Sequence, residues 1–253
     1  DLLVFKASGP KYVVITAQIH AKAELALSPQ TAPKSADLSV DTPCPIAVRP
    51  SPDAFVSAVI HIVFVISGIS ALLYQLIWQR SLLMLYGSNT ESVAMVVAAF
   101  MLGLGLGSLA GGEVSKRAGA RLILLFSTTE LLIGIYGAIS LRLFHWVSIY
   151  TLRAGTLETG LLAFGLVLLP TLLMGATLPM LVAYRVNTTG HVGHSVSWLY
   201  FVNTLGGGIG AFLAGFFLLR RFGLTGSSHI AATLNLICAG SVFLIWKLRK
   251  KSP

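Results

Sequence analysis

The chain has 253 residues, of which 55% are hydrophobic and only 11% are charged. Soluble domains usually carry about 25% charged residues, so this composition and a mean hydropathy of +0.81 exclude an ordinary soluble fold and indicate a membrane protein. The net charge of +9 does not indicate nucleic-acid binding, because no basic stripe with interleaved aromatic residues is present.

Residues 1–53 differ from the rest of the chain, being rich in Ala, Ser, Pro and Lys, and are predicted to form an irregular polar tail. Six apolar spans then follow in an all-α membrane domain over 54–247, and a short basic tail occupies 248–253. Each span has about 20 residues or more, which as a helix crosses a hydrocarbon core of roughly 30 Å. The predicted spans are 54–78, 90–112, 121–145, 159–184, 197–219 and 226–247.

An even number of spans places both ends of the chain on the same side of the membrane. Lys and Arg are more numerous on that side, which includes the segment between spans two and three and the C-terminal tail. Short cytoplasmic loops carry an excess of such residues. Both termini are therefore expected in the cytoplasm, and the expected location is the cell (inner) membrane.

Two related strings, GLGSLAGG at 105–112 and GIGAFLAG at 208–215, lie 103 positions apart in spans two and five. Each half of the domain holds three spans, so the second half is inverted relative to the first, and an inverted 3+3 repeat is predicted. Gly68 and Gly175 occupy similar places in spans one and four. Small residues spaced four apart form helix-packing faces. These are Gly103, Gly107 and Gly111 in span two, and Gly206, Gly210 and Ala214 in span five.

The segment GGEVSKRAGAR at 111–121 joins spans two and three. It resembles the cytoplasmic loop that follows the second helix of major facilitator transporters. Glu113 is expected to form an ion pair there with Arg117 and Arg121.

Four strings carry a closer resemblance: SGISALLYQLIWQR at 67–80, AAFMLGLGLGSLAGG at 98–112, LPTLLMGATLPML at 169–181 and LYFVNTLGGGIGAFLAGF at 199–216. Over about 60–225 the chain resembles the N-terminal membrane domain of bacterial spermidine synthase-like proteins, also described as fused facilitator and spermidine synthase. The resemblance implies a half-facilitator-like bundle.

In that family a soluble aminopropyltransferase-like domain follows the membrane domain and uses catalytic aspartates. This sequence has no Asp after Asp53. No catalytic or cofactor-binding residue is therefore carried over, and neither enzymatic activity nor a cofactor is expected.

Ionisable residues inside spans are the main candidates for a functional site, since they are costly in a membrane. Glu130 is expected about 13 Å deep, and His61 at a similar height. We predict that they face the bundle interior with Tyr200 and Asn203. Such a group either forms a proton or cation site or fixes helix packing.

Two other groups of polar or aromatic residues are less informative. His191 and His194 lie in the predicted loop between spans four and five, where no metal site is expected without further ligands. Trp78 and Arg80 are expected as headgroup anchors at the end of span one.

Three functions remain open. The favoured one is a non-catalytic accessory or structural subunit packed in a larger membrane complex. The alternatives are a small-solute or polyamine carrier working as a dimer, and a membrane anchor for a separate aminopropyltransferase-like enzyme. The expected partners are the lipid bilayer and either other membrane subunits or a second copy.

Overall fold

A computed structural model describes residues 52–86, 90–151, 155–189 and 192–251. The predicted tail up to residue 51, and His191, lie outside the described residues. The described part is helical and contains no strand. Its α-helices are α1 (Pro52–Tyr86), α2 (Thr90–Ala118), α3 (Leu122–Thr151), α4 (Thr156–Thr189), α5 (Val192–Leu213) and α6 (Leu219–Lys251), with a 3-10 turn at Gly119–Arg121 and a π-helical segment at Ala214–Leu218.

Five helical segments in the described residues are long and apolar enough to cross a membrane. The fifth, Val192–Lys250, is 59 residues long and contains both α5 and α6. The all-helical prediction is confirmed for the described residues, and these five segments are compatible with a multi-pass membrane protein. The helices extend beyond the predicted spans, because hydropathy marks the lipid core and not the polar turns that continue a helix past it.

Contacts between side chains and backbone show how the helices are directed. α1 runs parallel to α3, since Ser67 bonds to Glu130 and Trp78 bonds to Ser140 further along both helices. α3 and α6 run antiparallel, as two contacts at different heights show: Ser127 with Ala239, and Ser228 with Gly137.

The remaining directions follow from close approaches at glycines. α1 and α5 are parallel, because Val65 lies against Gly206 and Ile69 against Gly210. α2 and α4 are parallel, because Gly107 lies against Leu172 and Gly111 against Ala176. α4 runs antiparallel to α1, since Arg185 near the end of α4 donates to Ser57 near the start of α1. We call the end where α1 begins the first end of the bundle, and the end where α1 finishes the second end.

The interface between α1 and α3 is filled by aromatic side chains. Tyr74 and Trp78 are fully buried and stack with ring centroids 5.0 Å apart, and Phe144 packs against Trp78. The Trp78 indole donates to the Ser140 hydroxyl at 3.0 Å. The prediction that Trp78 anchors the chain at the headgroups is therefore wrong. α1 continues to Tyr86, so residue 78 lies inside the bundle.

α4 continues as one helix through Pro170 and Pro179. Proline has no backbone N–H, so the Leu166 carbonyl, four residues before Pro170, lacks its usual helical donor. The Tyr136 hydroxyl of α3 donates to this carbonyl at 2.5 Å. A neighbouring helix thus supplies the missing hydrogen bond, as the membrane interior requires.

Gly223 interrupts the helical backbone near the start of α6. Its φ of 65° and ψ of −169° are non-helical and lie in a region that side chains with a Cβ rarely adopt. The chain therefore changes direction at this glycine, which fits the parallel packing of α5 on α1 and the antiparallel packing of α6 on α3.

Candidate functional site

The carboxyl group of Glu130 lies in the protein interior, between α3 and α1. Glu130 is 0% exposed, and the Ser67 hydroxyl donates to its Oε1 at 2.6 Å. Its Oε2 is buried and has no hydrogen-bond partner among the described residues. A buried carboxyl with only one donor is costly, so this position is a candidate for function or for specific packing.

The four residues predicted to form an intramembrane polar site fall into separate places. Ser67, not His61, is the hydrogen-bond partner of Glu130. His61 lies six residues earlier on α1, about 9 Å along the helix, and meets the Trp198 ring edge-on at 6.2 Å. Tyr200 and Asn203 of α5 line a central cavity.

This central cavity is lined by residues of all six α-helices and has a volume of about 240 Å³. It reaches Glu130 through Ser67, which lines it. Asn235 also lines it, is 2% exposed, and has an Oδ1 with no hydrogen-bond partner among the described residues. The full lining is Ser67, Gly68, Ala71, Leu72, Phe100, Leu104, Ser108, Ile133, Met174, Gly175, Thr177, Leu178, Tyr200, Asn203 and Asn235.

Close helix contacts at glycines form the framework of this cavity. A Cβ on Gly103, Gly107 or Gly111 of α2 would overlap Thr171, Leu172 or Ala176 of α4. A Cβ on Gly206 or Gly210 of α5 would overlap the backbone of Val65 or Ile69 of α1, and Ala214 is buried in the π-helical segment. These two pairs of helices pack at backbone distance.

The acidic residue predicted in the segment between spans two and three lies on a helix, because α2 continues to Ala118. Glu113 forms ion pairs with Lys116 at 3.0 Å and Arg117 at 2.9 Å. Arg121 lies in the exposed 3-10 turn that follows. All three ion-pairing side chains are exposed, so they contribute little to stability.

Metal binding has no geometric support in the described part of the chain. No group of three or more His, Cys, Asp or Glu side chains is close enough there to hold a metal ion. His194 is exposed near the start of α5.

Sequence reasoning identified Glu130, Tyr200 and Asn203 but missed Ser67 and Asn235. A polar side chain inside an apolar span was the sequence feature that could have identified Asn235. Asn235 has this feature just as Asn203 does. Ser67 gave no such signal, because serine is common in packed membrane helices.

Comparisons with protein-family models, with curated proteins and with solved structures gave no match to this chain. The resemblance to spermidine synthase-like membrane domains therefore stays a prediction.

Proposed function

We propose that the chain is a membrane domain that binds a small solute in the central cavity, as a carrier does. The observation that carries this proposal is the buried Asn235 side chain, which lines the cavity and has an Oδ1 with no hydrogen-bond partner among the described residues. A polar group in an apolar interior is costly unless it is hydrogen-bonded, and a solute in the cavity would supply the missing donor.

The cavity has the form of a selective site for a small amphipathic molecule. Its polar side chains come from five helices and are Ser67, Ser108, Thr177, Tyr200, Asn203 and Asn235. The other lining residues are glycines and apolar residues such as Leu104 and Met174. Its volume lies below the roughly 300–1,000 Å³ of sites for drug-sized ligands. The solute is therefore small, with both hydrogen-bonding and apolar groups.

The helix contacts support an inverted 3+3 repeat, with α1 related to α4 and α2 related to α5. Gly68 meets the backbone of Asn203, and Gly175 meets the backbone of Leu104. Adding 107 to Gly68 gives Gly175, and subtracting 99 from Asn203 gives Leu104. The same two offsets convert the contact of Val65 with Gly206 into that of Leu172 with Gly107, and the contact of Ile69 with Gly210 into that of Ala176 with Gly111.

This relation also applies to the walls of the cavity. Ser67 corresponds to Met174, Ala71 to Leu178 and Asn203 to Leu104, and all six line the cavity. The cavity thus lies on the axis that would relate the two halves. In transporters with inverted repeats the substrate binds at the interface between the repeats.

Six membrane crossings, with both ends of the chain in the cytoplasm, complete the proposed topology. The segment Val192–Lys250 would span about 90 Å as one straight helix, which is three times the hydrocarbon core. The break at Gly223 and the opposed directions of α5 and α6 favour two crossings.

Cysteines at Phe55 and Leu248, both exposed, should react with an impermeant reagent from one side, and a cysteine at Gly155 from the other. If the cysteines at positions 55 and 248 were labelled from opposite sides of the membrane, this topology would be ruled out.

Solute binding is tested by thermal unfolding of the purified chain with a panel of small alkylamines, polyamines, amino acids, sugars and carboxylic acids. A bound solute stabilises the folded state by about 2.7 kcal/mol at a hundred times its Kd. We expect at least one stabilising solute for the native chain. We expect the effect to be lost in Ala71→Leu, which fills the cavity, and kept in Ala98→Leu, whose side chain is exposed. A panel with no stabilising solute, or an unchanged response in Ala71→Leu, would overturn the proposal.

An accessory-subunit function is the second candidate, and one observation favours it. A Cβ on Gly105 or Gly112 of α2, or on Gly208 or Gly215, would meet nothing within 4 Å. These open positions allow another membrane helix to approach closely. Copurification of the chain with a stoichiometric membrane partner would support this function.

A further inference from the structure

A second pocket lies between α3 and α6, away from the central cavity and towards the second end of the bundle. Its volume is about 310 Å³. α3 contributes Arg142, His145 and Trp146 to its walls, and α6 contributes Thr225 and His229. These positions are three or four residues apart on each helix, so each helix presents one face to the pocket.

The pocket is basic. Arg142, His145 and His229 line it, and none of its described lining residues is acidic. The guanidinium and imidazole groups are hydrogen-bond donors suited to an anionic oxygen, and the Thr225 hydroxyl adds another donor. Glu158, at the start of α4 and near this end, does not line the pocket. The chemistry therefore fits a phosphate group.

The depth of the pocket fits the region of the lipid headgroups. Trp146 is 63% exposed, and Trp is enriched where a membrane meets water. Arg80 near the end of α1 and Arg221 beyond α5 are also exposed at this end. A ligand here can have its charged group in the pocket and its apolar part in the membrane.

An exposed apolar surface leads from the pocket towards the middle of the bundle. On α3, Ile135 and Leu131 lie on the same face as Arg142 and are 49% and 42% exposed. On α6, Leu236 lies on the same face as His229 and is 44% exposed. The two helices are in contact here, because Leu236 would touch a Cβ placed on Gly134. This surface can accommodate acyl chains directly below the phosphate group.

We propose that the α3–α6 pocket binds the phosphate headgroup of an anionic phospholipid, with its acyl chains along Ile135, Leu131 and Leu236. The basic lining selects the anionic headgroup, and the exposed apolar surface distinguishes a lipid from free phosphate. This site is independent of solute binding in the central cavity.

The test uses native mass spectrometry of the full chain, delipidated in detergent and titrated with phosphatidylglycerol or phosphatidylcholine. We expect phosphatidylglycerol to bind about tenfold more tightly than phosphatidylcholine. The double variant Arg142→Gln/His229→Gln should lose about tenfold in phosphatidylglycerol affinity. Arg80→Gln/Arg221→Gln is the matched control, since it removes two exposed cations at the same end that do not line the pocket.

Each outcome decides for or against the lipid site. Loss in the pocket variant and not in the control supports it. Equal loss in both double variants indicates general attraction to a basic end and overturns it, as does an unchanged affinity in the pocket variant. Displacement of phosphatidylglycerol by an equal concentration of inorganic phosphate would assign the pocket to free phosphate instead. Elution of each variant as a single species in detergent shows that the substitutions leave the fold intact.

Discussion

Ser67 joins the buried carboxyl of Glu130 to the central cavity. Its side chain lines the cavity, and its hydroxyl donates to Glu130 Oε1 at 2.6 Å. A solute that accepts a hydrogen bond from the Ser67 hydroxyl competes with this interaction, whereas a solute that donates to Ser67 Oγ does not. A small side chain thereby gives the cavity access to the carboxyl group without exposing that group.

Replacing Ser67 with Ala should destabilise the fold by about 1–3 kcal/mol, because Glu130 then lacks its described donor in a buried place. Ser70→Ala is the matched control. Ser70 is also buried, but its hydrogen bond among the described residues goes to the Ser67 carbonyl in its own helix, so its loss should cost less than about 1 kcal/mol. Unfolding measurements in detergent compare the two. An equal effect of both substitutions would contradict a special role for Ser67.

At the scale of single helices, the hydrogen bond from Tyr136 to Leu166 explains how α4 tolerates Pro170. The sequence places two prolines in this span, and proline inside a helix usually kinks or loosens it. The sequence did not indicate that another helix compensates for one of them, because that depends on how α3 is rotated about its axis. Hydropathy and residue spacing do not predict which side chains on different helices form hydrogen bonds. The hydrogen bond between Ser67 and Glu130 is a second example.

A double-mutant cycle tests this compensation. Tyr136→Phe should cost about 1–3 kcal/mol, since it leaves the Leu166 carbonyl without a donor. In a Pro170→Ala background the new backbone N–H supplies that bond, so the cost of Tyr136→Phe should fall by about 1 kcal/mol or more. Tyr150→Phe, at a 74% exposed position, serves as the control and should have little effect. Additive costs in the cycle would refute the compensation.

At the scale of the whole molecule, hydropathy predicted the helical membrane fold, and the spacing of small residues predicted packing faces on spans two and five. The glycine strings did not predict the register. They align Gly105 with Gly208, whereas the contacts relate Gly107 to Gly206, one helical turn away. A string match reports composition along the helix, while a contact depends on which face meets the neighbour. Gly105 and Gly208 both lie on open faces, so their match carries no packing information.

The two registers make opposite predictions about substitution. Gly107→Leu and Gly206→Leu each force a side chain into the backbone of a neighbouring helix, so both should destabilise the fold by about 1–3 kcal/mol or more. Gly105→Leu and Gly208→Leu meet open space, and leucine has the higher helix propensity, so both should be tolerated. Unfolding of the four variants in detergent is the measurement. Because Gly107 and Gly206 are equivalent in the proposed repeat, a severe effect at one with tolerance at the other would contradict the repeat, even if the membrane fold itself is intact.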